Sequence, residues 1–286
     1  MAVPVRFCCP LLLVVLVFWT IVPGTIVLAR GDECDRLFAG GQAPTLLNDR
    51  LAQRTTVLCN DAYAVLASGV TRGPLWSAER LTRRSLAAAR ATPREGEFHE
   101  EDRLLADDRA LLSDYLGSGY DRGHMAPAGD MPDQEAQQQS FSLANVVPQT
   151  PALNRSQWEG IESAVRHLAE QRGNLYVVTG PAYQGTELQT LNGRVLVPTA
   201  TWKAVYDPVA RSAGAYMCSN TSRPRCSTIS VAALARMVGL DPFPAVADAV
   251  KRRAMRLPPP EPSPYASRRS GHHRQPRHGM FDWLLK

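Results

Sequence analysis

Residues 119–127 read Gly-Tyr-Asp-Arg-Gly-His-Met-Ala-Pro and place Arg122 two positions before His124. Side chains alternate between the faces of a strand, so a strand over 120–124 sends Arg122 and His124 to one face and Asp121 to the other. A cation beside an imidazole suits an apolar core poorly. It suits phosphate chemistry, where a guanidinium binds anionic oxygens and a neutral histidine takes a proton. The bland alternative is a surface turn with one incidental histidine. The residues downstream decide between the two.

Strand patterns surround this stretch at 63–66, 76–81, 141–147, 174–179, 195–197, 201–207 and 213–218. Within 174–179 the run Leu175-Tyr176-Val177-Val178 is continuously apolar, as a buried central strand is. A short helix is expected at 133–142. A longer amphipathic helix is expected over 155–172, with Trp158, Ile161, Val165 and Leu168 at helical spacing. Asn154, with Gln157 three residues on, has the position of an N-cap. Residues 230–238 read as a helix closed by Gly239, and 242–254 as a last helix. Residues 30–60 look polar and turn-rich, and 82–118 irregular with one short helix. The fold class expected is α+β, a mixed, mainly antiparallel sheet with flanking helices.

Glu162 breaks the apolar stripe of the 155–172 helix. A carboxylate there is costly without a partner. It can pair with Arg166 at i+4, or it can face a hydrated cation.

The formal net charge is +5, but its distribution matters more. Residues 251–286 hold nine Lys/Arg against Glu261 and Asp282, a net +7, and Arg6 is the only charge in residues 1–29, so residues 30–250 carry −3. Bulk charge therefore does not mark the central region as a nucleic-acid binder; any phosphate-binding surface there is a local patch. Residues 1–29 read as a signal peptide, with an uncleaved anchor as the rival. Residues 30–256 form the folded domain. Residues 257–286 are proline-rich, then basic, as in a disordered tail. Outside the leader, four cysteines remain. Sequence proximity pairs Cys34 with Cys59 and Cys218 with Cys226, as suits an exported protein, periplasmic or secreted.

Asp121-Arg122-Gly123-His124, Asn145 before Val146-Val147-Pro148-Gln149, and the spacing Asn154-x3-Trp158-x3-Glu162 together resemble the DNA/RNA non-specific endonuclease family, over about residues 63–205. That resemblance implies a ββα-metal (His-Me finger) motif. It implies His124 as general base, Asn154 as the direct protein ligand to Mg²⁺ (with Mn²⁺ as a substitute), and Glu162 holding the hydrated ion through water. Arg122 would stabilise the transition state, and Asn145 would steady the histidine or the phosphate. An upstream arginine is also implied: Arg94 fits best, with Arg80 and Arg83 as the alternatives. The implied substrates are DNA and RNA, and the implied products carry 5′-phosphate ends. Relatives often dimerise, and the N-terminus leaves a membrane tether open. The rival readings are a catalytically weak nucleic-acid-binding module and a small-molecule phosphodiesterase.

Overall fold

The computed structural model describes Met1 and residues 34–262. The leader expected at 1–29 and residues 263–286 of the tail lie outside the described residues. The centre is a seven-stranded sheet. Its strands are β1 (Thr55–Cys59), β2 (Tyr63–Ser68), β3 (Gly73–Thr82), β6 (Asn174–Ala182), β7 (Ala200–Asp207), β8 (Ser212–Ser219) and β9 (Cys226–Ile229). The spatial order is β9-β8-β7-β6-β3-β2-β1, and every neighbouring pair is antiparallel. Between β3 and β6 the chain leaves the sheet. It forms α1 (Arg83–Ala91), strand β4 (Asp121–His124), helix α2 (Gln134–Ser140) and strand β5 (Val146–Gln149), then the long helix α3 (Glu159–Arg172). Strands β4 and β5 pair only with each other, His124 opposite Val146. Helix α4 (Val231–Val238) follows β9, capped by Ser230 and closed by Gly239 at φ 68°.

Both faces of the sheet are covered, and alternation assigns the residues. Trp76, Ala78, Val178, Trp202 and Ala204 point into one core, packed by Phe38, Leu234 and Phe243. Leu81, Val177 and Val205 point into the other, packed by Trp158, Ile161 and Val165 of the α3 region. Glu79 and Lys203 lie on this second face, 2% and 1% exposed. Both disulfides form as sequence proximity suggests, Cys34–Cys59 and Cys218–Cys226. The second joins register partners of β8 and β9. Among the described residues no helix is long and apolar enough to cross a membrane.

Several local expectations need correction. The 30–60 region contains β1, an edge strand on which only Leu58 is buried, so its pattern looked like loop. The strand expected at 141–147 is a 3₁₀ turn, Leu143–Asn145, and then β5. That strand runs through Pro148, which a ribbon with one partner tolerates because the proline owes no second hydrogen bond. Only Asp248–Lys251 is helical within 242–254. The most consequential correction concerns Asn154. A π-helical turn, Leu153–Trp158, precedes α3 and has Ala152 as its N-cap, with no side-chain cap bond. Asn154 thus lies inside the first turn rather than capping it. π turns recur at functional sites because the extra residue redirects side chains.

Candidate active site

Strands β4 and β5 and the helix beginning at Leu153 form a ββα unit, and an open cleft of about 730 Å³ lies against it. Arg94, Arg122, His124, Asn154 and Glu162 all line this cleft. Arg80 and Arg83 do not. Arg80 bonds Asn174, and Arg83 donates to the carbonyls of Glu170 and Gln171 at the end of α3.

His124 ends β4 and is 9% exposed. Phe98 packs against its ring at 5.1 Å between centroids, and Phe141 meets it edge-on at 4.9 Å. Burial, then the nearby Arg94 cation, push its pKa down to about 3, so the ring is neutral at physiological pH. Its Nε2 is buried with no hydrogen-bond partner among the described residues. The aromatics also carry the cations: Arg122 lies 4.6 Å over Phe98 and Arg94 5.5 Å over Phe141. A guanidinium stacked on a ring keeps its N–H edge free for an anion.

Asp121 does not turn away from Arg122 and His124; it lines the same cleft. On a two-stranded ribbon both faces are accessible, and Asp121 reaches the start of the helix. Its carboxylate accepts from Asn154 Nδ2 at 3.0 Å and from Arg155 at 2.7 and 2.5 Å. The amide nitrogen of Asn154 is thereby committed, which leaves its Oδ1 as the atom available to a cation. Glu162 is not paired with Arg166. Arg166 instead donates to Asp130 at 3.0 Å and to Ser163 at 2.8 Å. Burial raises the Glu162 pKa to about 7, opposed by Lys203 and Arg166 and assisted by Asp130 and Glu159.

Asn145 does not line the cleft; it is 0% exposed. Its Oδ1 accepts from Ser77 Oγ at 2.8 Å and from the Ala126 N–H at 3.0 Å. Its Nδ2 donates to the carbonyls of Ala126 at 2.8 Å and Ser140 at 2.9 Å. It ties the turn after His124 to the central sheet. Asn145→Ala would orphan four buried polar groups. At about 1–3 kcal/mol for each unsatisfied group, discounted for water entry, a loss of about 3 kcal/mol or more is expected in denaturant unfolding.

Sequence reasoning missed Glu159 and the aromatic wall. Glu159 lines the cleft, and its Oε2 is buried and unpartnered while Oε1 accepts from Ser163. A π turn upstream of it could not be read from a 3.6-residue period, and that was the signal needed.

A profile of the DNA/RNA non-specific endonuclease family matches residues 44–249. The chain belongs to this family. It is 34% identical over 168 residues to Nuclease C1 of Cunninghamella echinulata var. echinulata, covering 54% of this chain and 67% of that one. It is 40% identical over 124 residues to mitochondrial endonuclease G of Homo sapiens, covering 43% and 41%. It is 35% identical over 167 residues to a nuclease of Nostoc sp., covering 58% of each chain. The chain thus spans about half the length of several relatives it matches. A solved EndoG/EndoGI complex has a similar fold, with TM-score 0.60 and 28% identity, covering 64% of this chain and 84% of that one. The ββα unit and the large antiparallel sheet with flanking helices agree with the fold class expected from the sequence.

Proposed function

We propose that this chain is a divalent-cation-dependent, sugar-non-specific endonuclease that hydrolyses DNA and RNA to 5′-phosphate ends. The observation that carries the reading is the convergence of two arginines, a neutral histidine, an oriented asparagine and an unpaired carboxylate on one cleft.

Arg94 and Arg122 bind the scissile phosphate and meet the added charge of the transition state. His124 takes a proton from the attacking water. A pKa near 3 makes it a weak base in the free protein. Burial is the larger cause of that depression; a bound phosphodiester would offset only the smaller part due to Arg94. The residues on the helix side fit a hard cation. Their donors are all oxygens, Asn154 Oδ1 is left available by Asp121, and Glu162 has no hydrogen-bond or ion-pair partner among the described residues. Among the described residues no group of three His, Cys, Asp or Glu could hold a metal. Mg²⁺ keeps most of its waters and takes few protein ligands, so Asn154 and Glu162 suffice for the proposed site. When bound, such an ion supplies charge neutralisation at the phosphate and the leaving oxygen. Asn154 would hold it directly, Glu162 through its waters.

The test is digestion of plasmid DNA and of RNA with Mg²⁺, with Mn²⁺ and with EDTA. Cleavage of both polymers that EDTA abolishes is expected; binding without cleavage, or cleavage of small diesters alone, would refute the reading. The disulfides support export, with residues 30–256 as the nuclease domain.

Glu162 provides a pH signature. Its carboxyl is neutral below about pH 7 and ionised above, because burial has raised its pKa. A proton and the hydrated cation compete for it. At limiting Mg²⁺, activity should climb as pH rises through 7, and excess Mg²⁺ should move that climb to lower pH. Glu162→Gln should flatten it. A pH–rate profile that ignores the Mg²⁺ concentration would remove Glu162 from the metal site.

A further inference from the structure

Lys203 is an unexpected residue in the middle of a central strand. It is 1% exposed, and a buried ammonium is costly unless its charge is used. Its register partner on β6 is Thr179, and the partner of Thr179 on β3 is Ser77. Ser77, Thr179 and Lys203 therefore form one polar row across three adjacent strands, on the face that supports the ββα unit. Lys203 Nζ donates to Thr179 Oγ1 at 2.7 Å and to the Met125 carbonyl at 3.3 Å. Glu79 Oε1 lies 3.9 Å from it, and neither oxygen of Glu79 has a hydrogen-bond partner among the described residues.

Met125 and Ala126 follow His124 directly. Their four backbone polar groups are all satisfied. The Met125 N–H goes to the Asn145 carbonyl at 2.9 Å, and both groups of Ala126 go to the Asn145 side chain. The Met125 carbonyl goes to Lys203. A catalytic base is commonly oriented by a third side chain on its other ring nitrogen. Here Nε2 of His124 has no such partner among the described residues. The ring is placed instead by Phe98, Phe141 and the backbone that follows it.

We infer that Lys203 is a positioning residue for His124: with Thr179 as its second acceptor, it pins the Met125 carbonyl and so fixes the angle at which the imidazole enters the cleft. The inference rests on the nuclease reading. Lys203 does not line the cleft; its charge also acts on Glu162, so its positioning of His124 is read in kcat once Mg²⁺ is saturating. Small misplacements of a reacting group can cost about 100-fold in rate.

The test uses the full chain with plasmid DNA at saturating Mg²⁺. Lys203→Met should lower kcat by about 10- to 100-fold while KM stays within about two-fold. Thr179→Val keeps the ammonium, and with it the field at Glu162, but removes one of its anchors; it should lower kcat in the same direction by less. A folded Lys203→Met variant with wild-type kcat, or one that changes only KM or the Mg²⁺ requirement, overturns the inference. Should Lys203→Met not fold, Thr179→Val decides, and an unchanged kcat overturns the inference. If His124→Ala is inactive while the Lys203 and Thr179 variants are normal, the inference alone fails. If the wild-type chain cleaves neither DNA nor RNA, the nuclease reading fails first.

Discussion

His124→Ala should abolish cleavage of DNA and RNA and leave the fold and its Mg²⁺ affinity nearly unchanged. General-base catalysis contributes about 10²–10⁴-fold, and among the described residues no other histidine lines the cleft to replace it. The unchanged stability is the sharper half of the prediction. Removing a packed ring leaves a cavity, and His124 touches two phenylalanines. The same ring also buries Nε2 without a partner, a burden of about 1–3 kcal/mol that the substitution relieves. The two contributions oppose each other, so the melting temperature should move by only a few degrees. The residues proposed to hold the cation, Asn154 and Glu162, lie on the helix rather than on β4, and calorimetric Mg²⁺ binding should survive. Plasmid nicking within about ten-fold of wild type would end the general-base assignment.

The fold was legible where period and punctuation were strong. The β6 run is apolar because both its faces are covered, and α4 carries its serine cap and its glycine stop in the sequence. It was illegible where tertiary context overrode local pattern. β1 is an edge strand whose exposed Thr56 and Val57 look like loop. The start of the α3 region was misplaced because a π turn has no signature in a 3.6-residue repeat. The candidate site divides along the same line. His124 stood out beside Arg122 and Glu162 as a carboxylate in an apolar stripe, while Asn154 read as an N-cap and owed its metal-ligand role to the family resemblance. Asp121 did not reveal Asn154, nor Asn145 its Ser77 partner, because these lie 33 and 68 residues away in sequence. Lys203 was the least legible. Within an apolar strand pattern it reads as an exposed lysine, and only the register with Thr179 and the approach of Met125 make it part of the site's support.

Asn154→Ala should remove Mg²⁺-dependent cleavage, with a loss of at least about 100-fold at ordinary Mg²⁺ and partial recovery at high concentration. Recovery follows because Glu162 still faces the cleft and can retain the ion weakly. Asn154→Asp separates two accounts of this residue. If Asn154 served only as an oxygen donor, a carboxylate would bind Mg²⁺ better, and activity would hold or rise. The side chain has a second task, since its Nδ2 donates to Asp121 at 3.0 Å. An aspartate has no such donor, and it sets two carboxylates against each other. Like charges at hydrogen-bonding distance raise one pKa, and the pair would take up a proton at neutral pH. Asn154→Asp is therefore expected to be weaker than wild type at neutral pH and to recover as pH rises. Full activity of Asn154→Asp at neutral pH would show that Asp121 does not orient the amide. In that case the donation to Asp121 would be a property of the metal-free protein alone.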